Sequence, residues 1–154
     1  MSEAAPVAPG ETFTLEVRLG AAEIAAQAAA AHDLNPLHHD PAAARAAGHP
    51  RPIASGAHTG AIFMGMTATH FSTTPAPDGS ARSVLGLGFE IRFCAVVLAD
   101  DDLVFRWTVT GTTWKASLRG WIAHATGEVC TPRGPALTGT AKLLVRRAAP
   151  AVAS

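Results

Sequence analysis

The spacing of apolar and polar residues changes along this chain. Phe13, Leu15 and Val17 alternate with Thr14, Glu16 and Arg18, which predicts a first strand ended by Gly20. Ala21 to His32 is dense in alanine, the strongest helix former, with Ile24 as its large apolar anchor. Pro36 disfavours helical geometry at Asn35 and forces a turn. Pro41 to Ala47 reads as a short helix with Asp40 as N-cap, Pro41 at its first position and Gly48 beyond its end. Ala54 to Phe71 holds no ionisable residue except two histidines, and Ile62, Phe63 and Met66 fall at helical spacing. This predicts a helix buried on nearly all sides. Ser72 to Arg82 is a loop.

Beyond the loop, period two takes over. Phe89, Ile91 and Phe93 form one apolar face, as do Leu103, Phe105, Trp107 and Val109. Trp121, Ala123, Ala125 and Val129 follow, then Leu137, Ala141, Leu143 and Val145, with turns at Ala99–Asp102, Gly111–Ser117 and Thr131–Pro135. Helices followed by an antiparallel meander make the chain α+β, with one helix packed on a strongly curved sheet. Packing accounts for Trp107, Trp114 and Trp121 better than stacking on a ligand does.

The 154 residues suit a single domain over residues 11–147, with loose Ala/Pro-rich segments at 1–10 and 148–154. A formal net charge of zero offers no electrostatic footprint for nucleic acid or for an anionic membrane, and leaves room for self-association. Cys94 and Cys130 are too few for a disulfide scaffold and lack zinc spacing; both read as buried free thiols. The amino-terminal run lacks a basic segment followed by an apolar stretch, and the alanine run is too short to span a bilayer, so a soluble cytoplasmic protein is expected.

The chemistry concentrates in residues 31–40, which carry three of the seven histidines and two acids. The turn at Asn35–Pro36 lets Asp33 and His38 converge, and an acid beside an imidazole, both facing one water, is a general acid–base pair. Asn35 is placed to cap that turn. An ordinary Asp-x-Asn-Pro turn is the bland alternative. A metal site built from His32, His38, His39 and Asp40 lacks the usual ligand spacing, and no metal is expected.

Asp33-Leu34-Asn35-Pro36-Leu37-His38, followed after five residues by Ala44, resembles the hydratase-2 signature of the MaoC-like dehydratase family, D-x-N-P-[LIV]-H-x5-[AS]. Arg51-Pro52-Ile53-Ala54-Ser55-Gly56 resembles the family's R-P-I-V-H-G stretch, and Glu90 to Phe93 resembles the strand after the loop. The likeness extends over most of residues 13–145. It implies a single hot-dog domain, a long central helix wrapped by a curved antiparallel sheet, paired as a homodimer. It implies hydration of 2-enoyl-CoA to (R)-3-hydroxyacyl-CoA, or the reverse dehydration, on a CoA or carrier-protein thioester. Asp33 and His38 match the catalytic pair. Gly56 matches the glycine whose N–H holds the thioester oxygen at a helix N-terminus. No cofactor is implied, because the thioester itself acidifies C2.

The pattern departs at His32, where the family has Gly, at Ser55, which often is His, and at Ala61, near a supporting Ser. Asn35, Ser55 and His58 are candidate substrate-binding residues, with Thr59 a further polar residue nearby. Arg51, Arg82 and Arg92 are chosen by charge alone for the nucleotide part of CoA, with Arg51 and Arg92 foremost. Small residues Gly60, Ala61 and Gly65 beside Met64 and Met66 either leave room for a bulky acyl group or let the helix approach the sheet. Two rival readings are a hot-dog thioesterase, which calls for an acid on the central helix, and a non-catalytic acyl-thioester-binding subunit, which would lack the acid or the imidazole.

Overall fold

The computed structural model describes residues 4–148. Strand β1 (Thr12–Arg18) leads into helix α1 (Ala21–Ala30), then two short helices, α2 (Pro36–His39) and α3 (Pro41–Ala46), and the long helix α4 (Gly56–Thr73). Strands β2 (Arg82–Phe93), β3 (Asp102–Lys115), β4 (Gly120–Thr131) and β5 (Gly134–Arg147) complete an antiparallel sheet of order β1-β3-β4-β5-β2. This is the expected hot-dog arrangement: one long helix against one antiparallel sheet.

The alternation on β3 holds, with Leu103, Phe105, Trp107 and Val109 all buried toward α4. Phe63 on α4 stacks on Trp107 with ring centroids 4.1 Å apart, and the Trp107 indole N–H donates to the Phe63 carbonyl at 2.8 Å. Such a pair adds about 0.5–1.5 kcal/mol beyond area burial. Two glycines make room for it. Gly127 and Gly139 face each other across β4 and β5, and a Cβ on Gly127 would lie 2.6 Å from the Trp107 ring.

The structure corrects several expectations. Helix α4 buries one face only, through His58, Thr59, Gly60, Phe63, Met66, Thr67 and Phe71. Its outer positions Ala57, Ala61, Met64, Gly65 and Ala68 are exposed, because a single sheet covers a single side. The turn expected at Gly111–Ser117 begins later. β3 runs on through a bulge between Val109 and Gly111 to Lys115, where a 3-10 turn at Ala116–Leu118 reverses the chain. The amino-terminal segment is not loose throughout the described residues: Val7 is 1% exposed and joins the core, and the Gly10 N–H bonds the Val109 carbonyl. Residues 1–3 and 149–154 of the expected loose ends lie outside the described residues. Cys94 is exposed just past the end of β2, and Cys130 is half-buried, so neither is the fully buried thiol expected. Among the described residues, no helix is long and apolar enough to cross a membrane.

Arg82 is withdrawn from any surface role. Its side chain is fully buried; it bonds Glu11 at 2.8 Å and the Thr74 carbonyl at 2.9 Å, and lies over the Phe71 ring. His70 also bonds Glu11, at 2.7 Å. Burial works to raise the Glu11 pKa, but the hydrogen bonds from His70 and Arg82 outweigh it and hold the carboxyl below its ordinary value. This cluster ties the amino-terminal segment to the far end of α4.

Candidate active site

The approach to Asp33 is set by how α1 ends. Ala31 caps the helix, His32 takes a left-handed conformation with φ 59°, the His32 N–H bonds the Ala29 carbonyl at 3.0 Å, and the Asp33 N–H bonds the Ala28 carbonyl at 2.8 Å. These paired bonds are a Schellman motif, whose left-handed position favours glycine. His32 therefore stands, strained, where a glycine would fit without cost.

Three polar side chains then organise the loop, each capping an N–H two residues on. Asp33 Oδ1 accepts from the Asn35 N–H at 3.1 Å, Asn35 Oδ1 from the Leu37 N–H at 3.1 Å, and Asp40 Oδ1 from the Ala42 N–H at 2.8 Å. With Pro36 and Pro41 opening α2 and α3, the expected short helix and its cap are present. Asn35 caps the turn as expected.

This winding brings the predicted pair together: Asp33 Oδ2 lies 3.2 Å from His38 Nε2. The His38 side chain is 8% exposed and that of Asp33 37%, so the imidazole is walled in while the carboxylate stays open to an incoming molecule. His38 Nδ1 lies 2.8 Å from the Ile53 carbonyl. A carbonyl only accepts, so Nδ1 carries a hydrogen and Nε2 is the nitrogen turned to Asp33. With Nε2 and Oδ2 at 3.2 Å, a proton can pass from one to the other. The Ile53 N–H in turn bonds the Leu37 carbonyl at 3.0 Å, fastening α2 to the segment that leads into α4.

That segment is itself locked. Ile53 bridges Leu98, and the Ala54 N–H and Ala99 N–H form bonds of 2.8 Å with Val97 and Pro52 carbonyls. Asp101 anchors the facing loop, accepting from the Leu98 N–H, Arg51 and Arg133. Burial alone would raise the Asp101 pKa, but bonds from Arg133 and the Leu98 N–H, with the charges of Arg133 and Arg51, bring it below the ordinary value. Arg51 thus spends its Nε on the Ala99 carbonyl at 2.7 Å and its Nη2 on Asp101. Arg51 thereby pins this loop, with its side chain still 45% exposed. Arg92 is exposed on β2 with no ion-pair partner among the described residues.

Ser55 caps α4: its Oγ accepts from the His58 N–H at 3.1 Å and donates to Gln27 on α1 at 3.2 Å. Among the described residues, the N–H groups of Gly56 and Ala57 have no acceptor, so the helix presents free donors and the positive end of its dipole. A Cβ on Gly56 would sit 2.8 Å from the Phe93 ring, so the glycine lets that ring close against the helix start. His58 faces α1, not the pair: its Nε2 is 3.9 Å from Glu23, its Nδ1 is buried without a partner among the described residues, and burial depresses its pKa. Ser55 and His58 join α1 to α4, Ser55 through Gln27 and His58 beside Glu23. Sequence reading missed Ile53, because a backbone carbonyl has no side-chain signature, and Phe93 and Arg133, whose neighbours come from distant segments.

Residues 4–128 match the family model described as the MaoC like domain. The chain is 33% identical over 101 residues to the (R)-specific enoyl-CoA hydratase of Aeromonas caviae, covering 66% of this chain and 69% of that one. The solved (R)-hydratase from A. caviae involved in PHA biosynthesis superposes with a TM-score of 0.75 at 31% identity, over 91% of this chain and 98% of that one. The MaoC-like dehydratase from Rhodospirillum rubrum does so with a TM-score of 0.72 at 28% identity, over 93% and 95%.

Proposed function

The chain belongs to the MaoC-like domain family, and from this premise we propose that it is an enoyl thioester hydratase, adding water to a 2-enoyl thioester or removing it from the 3-hydroxyacyl form. The observation that carries the reading is the Asp33–His38 contact at 3.2 Å, with His38 oriented by the Ile53 carbonyl. In hydration, the Asp33 carboxylate takes a proton from water as its oxygen bonds to C3. The C2=C3 π electrons move toward the thioester oxygen, where the free N–H of Gly56 meets the developing charge. His38 then supplies a proton to C2, and the pair ends with the proton count it began with. The thioester stabilises the charge at C2, so the residues and substrate supply every part of this step.

CoA is the proposed carrier, in line with the A. caviae relative's name. Arg92, exposed and unpaired, is the better of the charge-selected candidates for its phosphates. A thioesterase is disfavoured because α4 carries no Asp or Glu. A non-catalytic binding subunit is disfavoured because acid and imidazole are both present and in contact. The β2 edge supports the homodimer reading. This edge strand, twelve residues long, exposes Leu85, Leu87 and Phe93, a surface that natural edges avoid unless it is paired. Hydration of crotonyl-CoA, followed as loss of the enoyl thioester absorbance, tests the function. Wild-type protein that turns over no 2-enoyl-CoA of any chain length overturns it. A single-chain mass by light scattering overturns the dimer.

A further inference from the structure

We infer that His39 is a positioning residue that fixes Asp33 through its backbone; this rests on the hydratase reading above. Two consecutive histidines clasp the same residue from opposite sides. His38 meets the Asp33 carboxylate, while His39 Nε2 lies 2.8 Å from the Asp33 carbonyl. The two rings are 6.4 Å apart and steeply inclined, at 66°, so they do not share one task. Since a carbonyl only accepts, His39 Nε2 carries a hydrogen, and it does so whether the ring is neutral or charged.

The bond matters because of where Asp33 sits. Its N–H is held by Ala28 at 2.8 Å, Oδ1 by the Asn35 N–H at 3.1 Å and Oδ2 by His38 at 3.2 Å. Leu34, next in the chain, is 76% exposed, so side-chain burial does little to hold the peptide between them. Among the described residues, His39 is the donor to the Asp33 carbonyl. Without it the 33–34 peptide is free to rotate, and the Asn35 N–H that steadies Oδ1 moves with it. A shift of this kind near a reacting carboxylate lowers the rate while leaving the binding of the rest of the substrate in place.

The test compares His39→Leu, which keeps apolar volume and removes the donor, with His39→Gln, which keeps a donor at nearly the same reach. His39→Leu is expected to lower kcat about tenfold with KM within about twofold, and His39→Gln to recover kcat to within about threefold of wild type. The His38 ring-nitrogen resonances, read in the substrate-free protein, are expected to shift in His39→Leu and to stay near wild type in His39→Gln. Unchanged kcat and unchanged His38 resonances in His39→Leu overturn the proposal, as does a loss that falls on KM alone or equally on both variants. If His38 resonances move as expected but the wild-type protein hydrates nothing, the positioning stands and the hydratase reading falls.

Discussion

Replacing Asp33 by Asn separates chemistry from architecture at this site. The amide keeps an oxygen for the Asn35 N–H, now 3.1 Å from Oδ1, and turns its NH2 toward His38 Nε2, 3.2 Å from Oδ2. Because the Ile53 carbonyl fixes the hydrogen on Nδ1, Nε2 of the neutral ring can accept from that amide. Both contacts survive, and the capacity to take a proton is gone. Asp33 is 37% exposed and keeps both side-chain contacts as Asn, so the change in stability stays within about 1 kcal/mol. That corresponds to about 2–4 °C in Tm for a domain of this size. Loss of acid–base catalysis costs about 10²–10⁴ in rate, or about 2.7–5.4 kcal/mol of barrier. The assay is hydration of a 2-enoyl-CoA by absorbance, beside dehydration of the 3-hydroxyacyl-CoA; kcat/KM must fall by the same factor in both directions, since an enzyme leaves the equilibrium unchanged. A variant that keeps more than about a tenth of wild-type kcat refutes the assignment of Asp33 as an acid–base group. A variant whose melting point collapses shows that Asp33 holds the loop instead.

His32→Gly relieves a left-handed non-glycine residue that costs about 1–2 kcal/mol, partly offset by the greater freedom of glycine in the unfolded chain. A net gain of about 0.5–1 kcal/mol is expected in urea unfolding, with activity retained; destabilisation would contradict the Schellman assignment. Gly56→Ala puts a methyl 2.8 Å from the Phe93 ring. Because Phe93 is 60% exposed and able to yield, the stability loss should stay near the low end of the usual overpacking range, about 1 kcal/mol, with a larger loss in kcat. Because Ala keeps the backbone N–H, adding Phe93→Ala should restore Tm and kcat together, and a kcat that stays low would show that the clash with Phe93 is not its cause. His58 has its folded-state pKa pushed below its ordinary 6.5 by burial, so below pH 6.5 the unfolded chain binds the proton more readily and stability falls. Unfolding free energies measured between pH 7.5 and 5.5 should decline less steeply in His58→Gln than in wild type, and parallel curves would exclude the histidine as the source.

Much of the site could be read directly from the order of residues. The turn chemistry of Asp33, Asn35 and Asp40, with Pro36 and Pro41 behind two of the caps, is local, and local chemistry is written in sequence. The period-two runs on β3 and β5 located their buried faces correctly, because a strand with one covered side leaves no other pattern. Arg82 was misread for the opposite reason. Charge says that an arginine wants an anion, and only the folded chain shows that Glu11 already supplies one to this buried side chain. The outer face of α4 was misread because apolar residues are the same letters whether a sheet covers them or leaves them exposed.

Sequence alone therefore determined the acid, the imidazole, the turn between them and the long helix beside them. The tertiary structure decided the rest. The Ile53 carbonyl, fifteen residues from His38, fixes which ring nitrogen faces Asp33, and it is held there by its bridge to Leu98. Phe93, thirty-seven positions beyond Gly56, closes on that glycine because β2 returns along the helix. Such contacts follow from chain reversal and packing, which bring together groups that no local pattern relates.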